Sequence, residues 1–397
     1  YYIKYPLVEG KGFLTVATTR PEPIWADTHL AVNPKDKKHA HLVGKKVLNP
    51  LTDAVMEIIA DDFVDPKFGT GIVKLTPAID KNDYEVALKH GLPIIEIIDW
   101  SGKMKGRYSG LNIEEARKQA LAEIEAKGLL EKTDSNYTNT VAMCKAGHQI
   151  EPMLIPNWFV KVDKPGKSFK DPAYQAVKEG RVKIYPKWRE KTYLRWMEEM
   201  RDWPISRQNV WGIQIPVWYK VENPSQFYVW FNNPKGEFKH GTLNQYLEDG
   251  VSLEEILSGL QRVLALPGAE WVFEEDKSDV AQYLPETDTF DTWFSSGQWP
   301  LVTLDYPNSA DFKKFYPTQV METGWEIIRL WVSRMMMFGI YLTGQPPFED
   351  IYLHGLVKAI DGRKMSKSLG NIINPEEYVA EYGVDALRMG LISGTAN

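Results

Sequence analysis

The sequence reads as an α/β protein, on three observations. Short β-rich runs at residues 15–19 and 71–76 bracket turn signals at Asn33-Pro34-Lys35-Asp36 and Asn49-Pro50. Residues 113–130 carry Ile113, Ala116, Ala120, Leu121 and Ile124 at three- and four-residue spacing, the period of a helix with one apolar face. Further on, a helix over 325–342, a strand over 351–356, a glycine-containing loop and a helix after Asn374-Pro375 follow in the order of a parallel nucleotide-binding sheet. Only about half of such a sheet is legible.

The element ends have local chemistry. Asn112 precedes the helix at 113 and can accept its first free amide protons, while Gly128 marks its end. Asn374 is placed to do the same for the last helix, with Pro375 at its first position. Ser252 followed by Glu255 suggests a capping box and a helix over 252–266. The acidic stretch Glu274-Glu275-Asp276 carries no recognisable chemistry. Met335-Met336-Met337, with Arg329 and Arg334 interrupting the apolar run, reads as a buried helix and not a membrane span.

At 397 residues the chain is too long for one ordinary core, so two or three domains are expected. Its 14 Trp, 19 Tyr and 15 Phe supply enough buriable surface to offset the entropy of ordering the backbone. The single cysteine, Cys144, excludes an internal disulfide framework and a cysteine-rich zinc site, and fits a reducing, cytoplasmic compartment. Tyr1-Tyr2-Ile3-Lys4 has no signal-peptide character. Net charge is −6, yet residues 161–201 are rich in Lys and Arg, with Trp188 and Trp196 among them. Such a stretch suits a polyanion or, diluted by Glu190, Glu198 and Glu199, a solvated face.

The sharpest chemical signal is His354-Gly355-Leu356-Val357 followed by Asp361-Gly362-Arg363-Lys364-Met365-Ser366-Lys367-Ser368-Leu369-Gly370-Asn371. Lys364 and Lys367 are point charges able to follow negative charge as a triphosphate becomes pyrophosphate. Gly362 and Gly370 would let the strip close and reopen. On the residues alone, a phosphate grip and a surface turn both remain open. A second polar set lies earlier. Thr18-Thr19-Arg20-Pro21-Glu22 follows one strand, and Lys74, Thr76, Asp80, Asn82 and Asp83 cluster around another. Arg20 suits a phosphate or ribose, a carboxylate suits an ammonium, and the threonines suit a water or hydroxyl. Ordinary strand threonines are the competing reading.

Residues 364–368 match the KMSKS signature letter for letter, and the chain resembles the class I aminoacyl-tRNA synthetases of the valine/isoleucine/leucine subclass. Residues 201–208 (RDWPISRQ), followed by Trp211-Gly212 and Ile215-Pro216, agree, as does Asp291-Thr292-Trp293-Phe294-Ser295-Ser296-Gly297. The TTRPE element resembles the subclass's editing domain, and VKxTPAxDxND resembles its valyl members. The resemblance implies an editing domain at 1–150, a linker and return at 151–219, a helical or looped elaboration at 220–285, and the second half of a Rossmann-like ATP-binding domain at 286–397.

It also implies roles. Lys364 and Lys367 would act on ATP; His354 and Gly355 would line the adenine pocket; Glu326, where the family usually has aspartate, would approach the ribose; Trp293 would shape the amino-acid end. Thr18, Thr19 and Asp80 would serve hydrolysis, with Arg20, Lys74, Thr76 and Asp83 binding the misacylated end and Asp83 taking its ammonium. ATP with Mg2+ is the implied cofactor, with no dedicated metal site legible. No zinc is expected, because Met143-Cys144-Lys145-Ala146-Gly147-His148 offers one cysteine where the family often has a pair. The implied partners are tRNA(Val), valine and threonine. Pro23 and Ile79 depart from the family's usual threonine and histidine.

Valine and threonine are nearly isosteric, and a hydrophobic pocket separates them only about a hundredfold, so a second, hydrolytic sieve is expected. Cys144 has no paired base near it in sequence, so an oriented water is expected in place of a covalent intermediate. A HIGH-like motif and an anticodon-binding domain are not found in the chain. A truncated chain, a split-gene product whose partner supplies that half, or an excised piece would each account for this.

Overall fold

The computed structural model describes residues 1–137, 141–144, 146–164, 166–274 and 282–393, which form two compact units, Tyr1–Ile155 and Pro156–Asn397. Lys145, Glu275 and Asp276 lie outside the described residues.

The first unit contains β1 (Tyr2–Pro6), β2 (Phe13–Ala17), β3 (His29–Val32), β4 (Lys46–Leu48), β5 (Val55–Ala60), β6 (Ile72–Leu75), α1 (Lys81–His90), α2 (Ile113–Ala126) and β7 (Leu130–Lys132). One sheet runs β2-β1-β7, all antiparallel. The other runs β4-β5-β3-β6, with β3 and β5 parallel and the remaining pairs antiparallel. Period-two alternation on β1 turns Ile3 and Tyr5 fully inward, where they meet Val16, Leu30 and Ile58. Ala116, Ala120 and Ile124 bring the buried stripe of α2 onto the same core. The Asn112 capping box forms, with Glu115 N–H donating to Asn112 Oδ1 at 2.9 Å and Asn112 N–H donating to Glu115 at 3.1 Å. The helix ends at Ala126, short of the expected 130, because Gly128 adopts φ +68° and turns the chain into β7.

In the second unit a parallel three-stranded sheet forms, with Phe348–His354 central between Thr318–Gly324 and Lys183–Tyr185. The expected buried helix runs on from a π turn at Ile328–Val332 into Ser333–Thr343, and Ser333 through Gly339 are buried. No helix among the described residues is long and apolar enough to cross a membrane. The tryptophan-rich basic stretch supplies both an edge strand and the helices Asp171–Lys178 and Glu190–Glu199, which bury Ala173, Ala176, Tyr193 and Met197. Arg334 is buried with its guanidinium 3.9 Å from the Trp203 ring centroid, and burial lowers its pKa to about 10. Pro375 opens the helix Pro375–Tyr382, whose Glu376 N–H donates to Asn374.

Residues 220–285 differ from the helical or looped expectation. Two antiparallel sheets involve this region: Trp271–Phe273 and Tyr283–Pro285 flank Val217–Lys220, and Phe238–Thr242 and Leu260–Ala265 flank Phe227–Asn232. Ser252 caps a helix as expected, but it stops at Gly259. Leu260–Ala265 is a strand because pairing with Phe227–Asn232 helps to bury Phe227, Val229 and Phe231 with Val263. The apolar spacing fits both periods, and tertiary pairing decides.

Candidate active sites

In the first unit, residues far apart in sequence meet around one cleft of about 250 Å3. The end of β2 brings Thr18, Thr19 and Arg20; the loop before β6 brings Phe68, Gly69 and Thr70; β6 and the start of α1 bring Lys74, Thr76, Ile79, Asp80 and Asp83. The seven residues to which the resemblance gives editing roles, Thr18, Thr19, Arg20, Lys74, Thr76, Asp80 and Asp83, therefore line the same cavity, whereas Glu22 and Asn82 do not line it. Asp80 caps α1, its Oδ1 accepting from the N–H groups of Asn82 at 2.8 Å and Asp83 at 3.1 Å. That cap fixes the first turn and holds the Asp83 carboxylate against the cleft, where Asp83 Oδ2 accepts from Thr76 N–H at 2.8 Å.

The cleft rests on a carboxylate that sequence reasoning missed. Asp27 Oδ1 accepts from Lys74 Nζ at 3.1 Å and from Thr76 Oγ1 at 2.6 Å, and Lys74 also donates to Thr76 Oγ1 at 2.6 Å. Asp27 Oδ2 accepts from the buried Tyr5 hydroxyl at 2.7 Å. Burial raises the Asp27 pKa, with Lys74 and the hydroxyls opposing the rise. Burial raises Asp83 to about 7, again with Lys74 opposing. Two buried acids and one lysine thus share a small polar volume, with Lys74 between them electrostatically. Nothing in the motif spacing singles out Asp27; its partners arrive from β1 and β6.

Arg20 is held by acids. Its Nε donates to Glu22 at 2.9 Å, and its guanidinium pairs with Glu151 at 2.8 Å. Glu22 is fully buried and also accepts two bonds from Arg117 on α2, each 3.0 Å. The paired cations lower the Glu22 pKa against the opposing effect of burial. Thr18 Oγ1 accepts from Arg20 N–H at 3.0 Å, closing the turn. Pro23 is accommodated at the entry to the short 3-10 turn Ile24–Ala26, its carbonyl accepting from Ala26 N–H. Ile79 supplies an apolar patch of cleft wall.

The second candidate site lies at the carboxyl ends of the parallel strands, where ligands bind in such sheets. Gly324 and His354 are register partners, so Glu326, two residues beyond Gly324, and Gly355 follow adjacent strand ends. A Cβ on Gly324 would lie 2.5 Å from Glu326 Oε2; the bare backbone leaves room for that carboxylate. Glu326 Oε2 is buried without a hydrogen-bond partner among the described residues. His354 Nε2 lies 3.2 Å from Glu322 Oε1, and its Nδ1 lies 2.7 Å from Gly355 O. Lys364 and Lys367 are exposed on a loop whose turn is held by Asn371, which accepts from Ser366 N–H at 2.8 Å and donates to Lys364 O at 3.2 Å. Trp293 is half-buried against the core cluster that includes Met335 and Phe338.

Cys144 has a neighbour after all: His148 Nδ1 is 3.6 Å from Cys144 Sγ, because a tight turn folds the chain back on itself. Among the described residues no group of three His, Cys, Asp or Glu side chains is placed to hold a metal ion.

Comparison with known proteins identifies the family of the chain. The family "tRNA synthetases class I (I, L, M and V)" matches residues 91–397, and "Leucyl-tRNA synthetase, editing domain" matches residues 33–133. A valine--tRNA ligase of Clostridium perfringens is 42% identical over 400 aligned positions, covering 100% of this chain and 41% of that protein. The valine--tRNA ligases of Petrotoga mobilis (42% over 396, covering 98% and 40%) and Coxiella burnetii (41% over 392, covering 98% and 38%) are similar to the same extent. The chain spans about two-fifths of the length of these relatives. The chain belongs to the class I tRNA synthetases of the isoleucine, leucine, methionine and valine group, with an editing domain preceding a mixed α/β catalytic region.

Proposed function

We propose that this chain is the editing and nucleotide-binding portion of a valine--tRNA ligase, and that its first unit hydrolyses threonine wrongly esterified to tRNA(Val). The observation that carries the reading is the convergence of Thr18, Thr19, Arg20, Lys74, Thr76, Asp80 and Asp83 on one polar cleft.

The chemistry follows from the donors and acceptors. Asp83 is the acid for the substrate's α-ammonium: near neutral pH its proton is labile, and an entering cation favours the carboxylate. Lys74 spends two of its three N–H donors on Asp27 and Thr76 and has one for the ester carbonyl or the threonine hydroxyl. A valine methyl in that place would leave the donor unpaired in a desolvated site, which is the basis of rejection. Water adds to the ester carbonyl, the developing oxyanion is met by polar donors, and the bond to the ribose oxygen breaks to release threonine and tRNA. Thr18 and Thr19 orient the ester or the water.

At the strand ends, the orphaned Glu326 oxygen is suited to a ribose hydroxyl, and Lys364 and Lys367 to the phosphates of ATP, with Mg2+ arriving on the nucleotide. The test is to incubate the chain with Thr-tRNA(Val) and Val-tRNA(Val). Selective loss of the threonyl ester, abolished by Lys74→Ala, supports the reading. Equal stability of both esters overturns it.

A further inference from the structure

One carboxylate at the polar cleft of the first unit is marked by no motif. Glu151 stands in residues 151–155, which form neither helix nor strand, yet its Oε2 lies 2.8 Å from Arg20 Nη1. That oxygen makes no hydrogen bond among the described residues, so the contact is one of charge and not of donor alignment. Neither side chain is loose on the surface: Arg20 is 23% exposed and Glu151 19%, unlike the fully solvated pairs that contribute little. The segment itself is seated. Met153 and Leu154 pack on the first unit's core, and with Pro152 they line a cavity of about 20 Å3 whose other wall includes Ala78 and Ile79. Ile79 also lines the cleft, so residues 151–154 adjoin the cleft wall at two places, Arg20 and Ile79.

The charges around Arg20 show what Glu151 adds. Both oxygens of the buried Glu22 are engaged: Oε1 accepts from Arg20 Nε and Arg117 Nη2, and Oε2 accepts from Arg117 Nε. Two guanidinium groups thus share one carboxylate, and neither can shed its charge by losing a proton. Glu151 supplies the second negative charge. It acts on Arg117 as well, whose pKa is raised chiefly by Glu22, with Glu151 adding to the rise. Arg20, Arg117, Glu22 and Glu151 together are neutral. Without Glu151 one positive charge would be left in a partly desolvated wall, and Arg20, with one bond to Glu22 against two from Arg117, is the weaker-held cation. A guanidinium released in this way turns to water or takes an anion.

We infer that Glu151 is a positioning and specificity-determining residue of this cleft: it holds the Arg20 guanidinium in the wall and cancels its charge, so that Arg20 serves neutral oxygen atoms, a ribose hydroxyl or an ester carbonyl, and free phosphate is refused. A bare arginine suits phosphate and ribose alike. An arginine already flanked by two carboxylates offers an incoming phosphate the repulsion of Glu151, and that repulsive element separates the two ligands. The inference rests on the hydrolytic reading above for the reaction it serves, and on the ion pairs alone for the placement of Arg20.

Labelling of the whole chain with phenylglyoxal, an arginine-directed reagent, followed by peptide mapping, reads the placement of Arg20 without any need for hydrolysis. Glu151→Gln keeps the size and removes the charge, and should label at Arg20 about tenfold faster than the parent, with Arg117 unchanged as the internal reference. Glu151→Asp keeps the charge and should stay near the parent rate. Inorganic phosphate should protect Arg20 in Glu151→Gln and leave the parent's rate unaltered. In threonyl-ester hydrolysis Glu151→Gln should raise KM about tenfold with kcat within about threefold, and phosphate should inhibit that variant competitively but not the parent. Adding Glu151→Gln to Arg20→Ala should change neither constant further, because Glu151 acts through Arg20. An unchanged Arg20 labelling rate in Glu151→Gln, equal phosphate protection of the parent, or a further loss in the double variant overturns the role given to Glu151. A parent that leaves the threonyl ester intact overturns the hydrolytic reading alone.

Discussion

Replacing Asp83 by Asn should stabilise the first unit while abolishing its hydrolytic activity. Asp83 has an ordinary pKa of 3.8 and is raised to about 7, principally by burial. A raised carboxyl pKa means that the folded state holds its proton more tightly than the unfolded chain does. The associated stability is complete below pH 3.8 and is lost as pH rises through 7. With about 1.36 kcal/mol per pKa unit, the loss is about 1.7 kcal/mol at pH 5 and about 4.3 kcal/mol at pH 8. Asparagine keeps the size and an acceptor for Thr76 N–H, now 2.8 Å from Asp83 Oδ2, but never ionises. The gap between Asp83→Asn and the parent should therefore widen by about 2.6 kcal/mol from pH 5 to pH 8. Hydrogen exchange at the amides of β6 and α1, followed by mass spectrometry at both pH values, reports this unit without interference from the second. A gap that does not change with pH, or that reverses sign, would refute burial as the origin of the shift. Retained deacylation by Asp83→Asn would refute its role as ammonium ligand.

Three other outcomes are expected. Tyr5→Phe removes a donor from the buried Asp27 without changing core volume and should cost about 1–3 kcal/mol, with threonyl-ester hydrolysis slowed; denaturation and deacylation measured on the same preparation check both. Glu22→Gln leaves Arg20 and Arg117 facing a neutral side chain and should cost about 3–5 kcal/mol, more than a surface pair would, as read by the denaturation midpoint. Gly324→Ala sets a Cβ against Glu326 Oε2 and should weaken ATP binding by the chain several-fold in equilibrium titration, while hydrolysis in the first unit is unchanged.

How much of this was legible depended on whether the signal was local. The Asn112 capping box, the Gly128 turn and the Asn374 cap with Pro375 all rest on contacts within a few residues, and each formed where the spacing placed it. The stretch 252–266 failed for the complementary reason. Leu253, Ile256 and Leu260 suit a helix, yet beyond Gly259 the chain gains more by pairing with Phe227–Asn232, a partner about thirty residues away. Likewise His148 beside Cys144 depends on a turn that composition does not announce.

The amino-acid order by itself determined the residue types of both sites: a run of polar groups after one strand, a second around Lys74 to Asp83, and two lysines in a serine- and glycine-rich loop. Tertiary structure alone decided that the first two runs share a cleft, that Asp27 and Tyr5 lie beneath it, and that Glu22 joins Arg20 to Arg117. The physical reason is desolvation. A carboxylate's cost and usefulness depend on which groups surround it after water has left, and those groups come from strands and helices that meet only when the chain has folded.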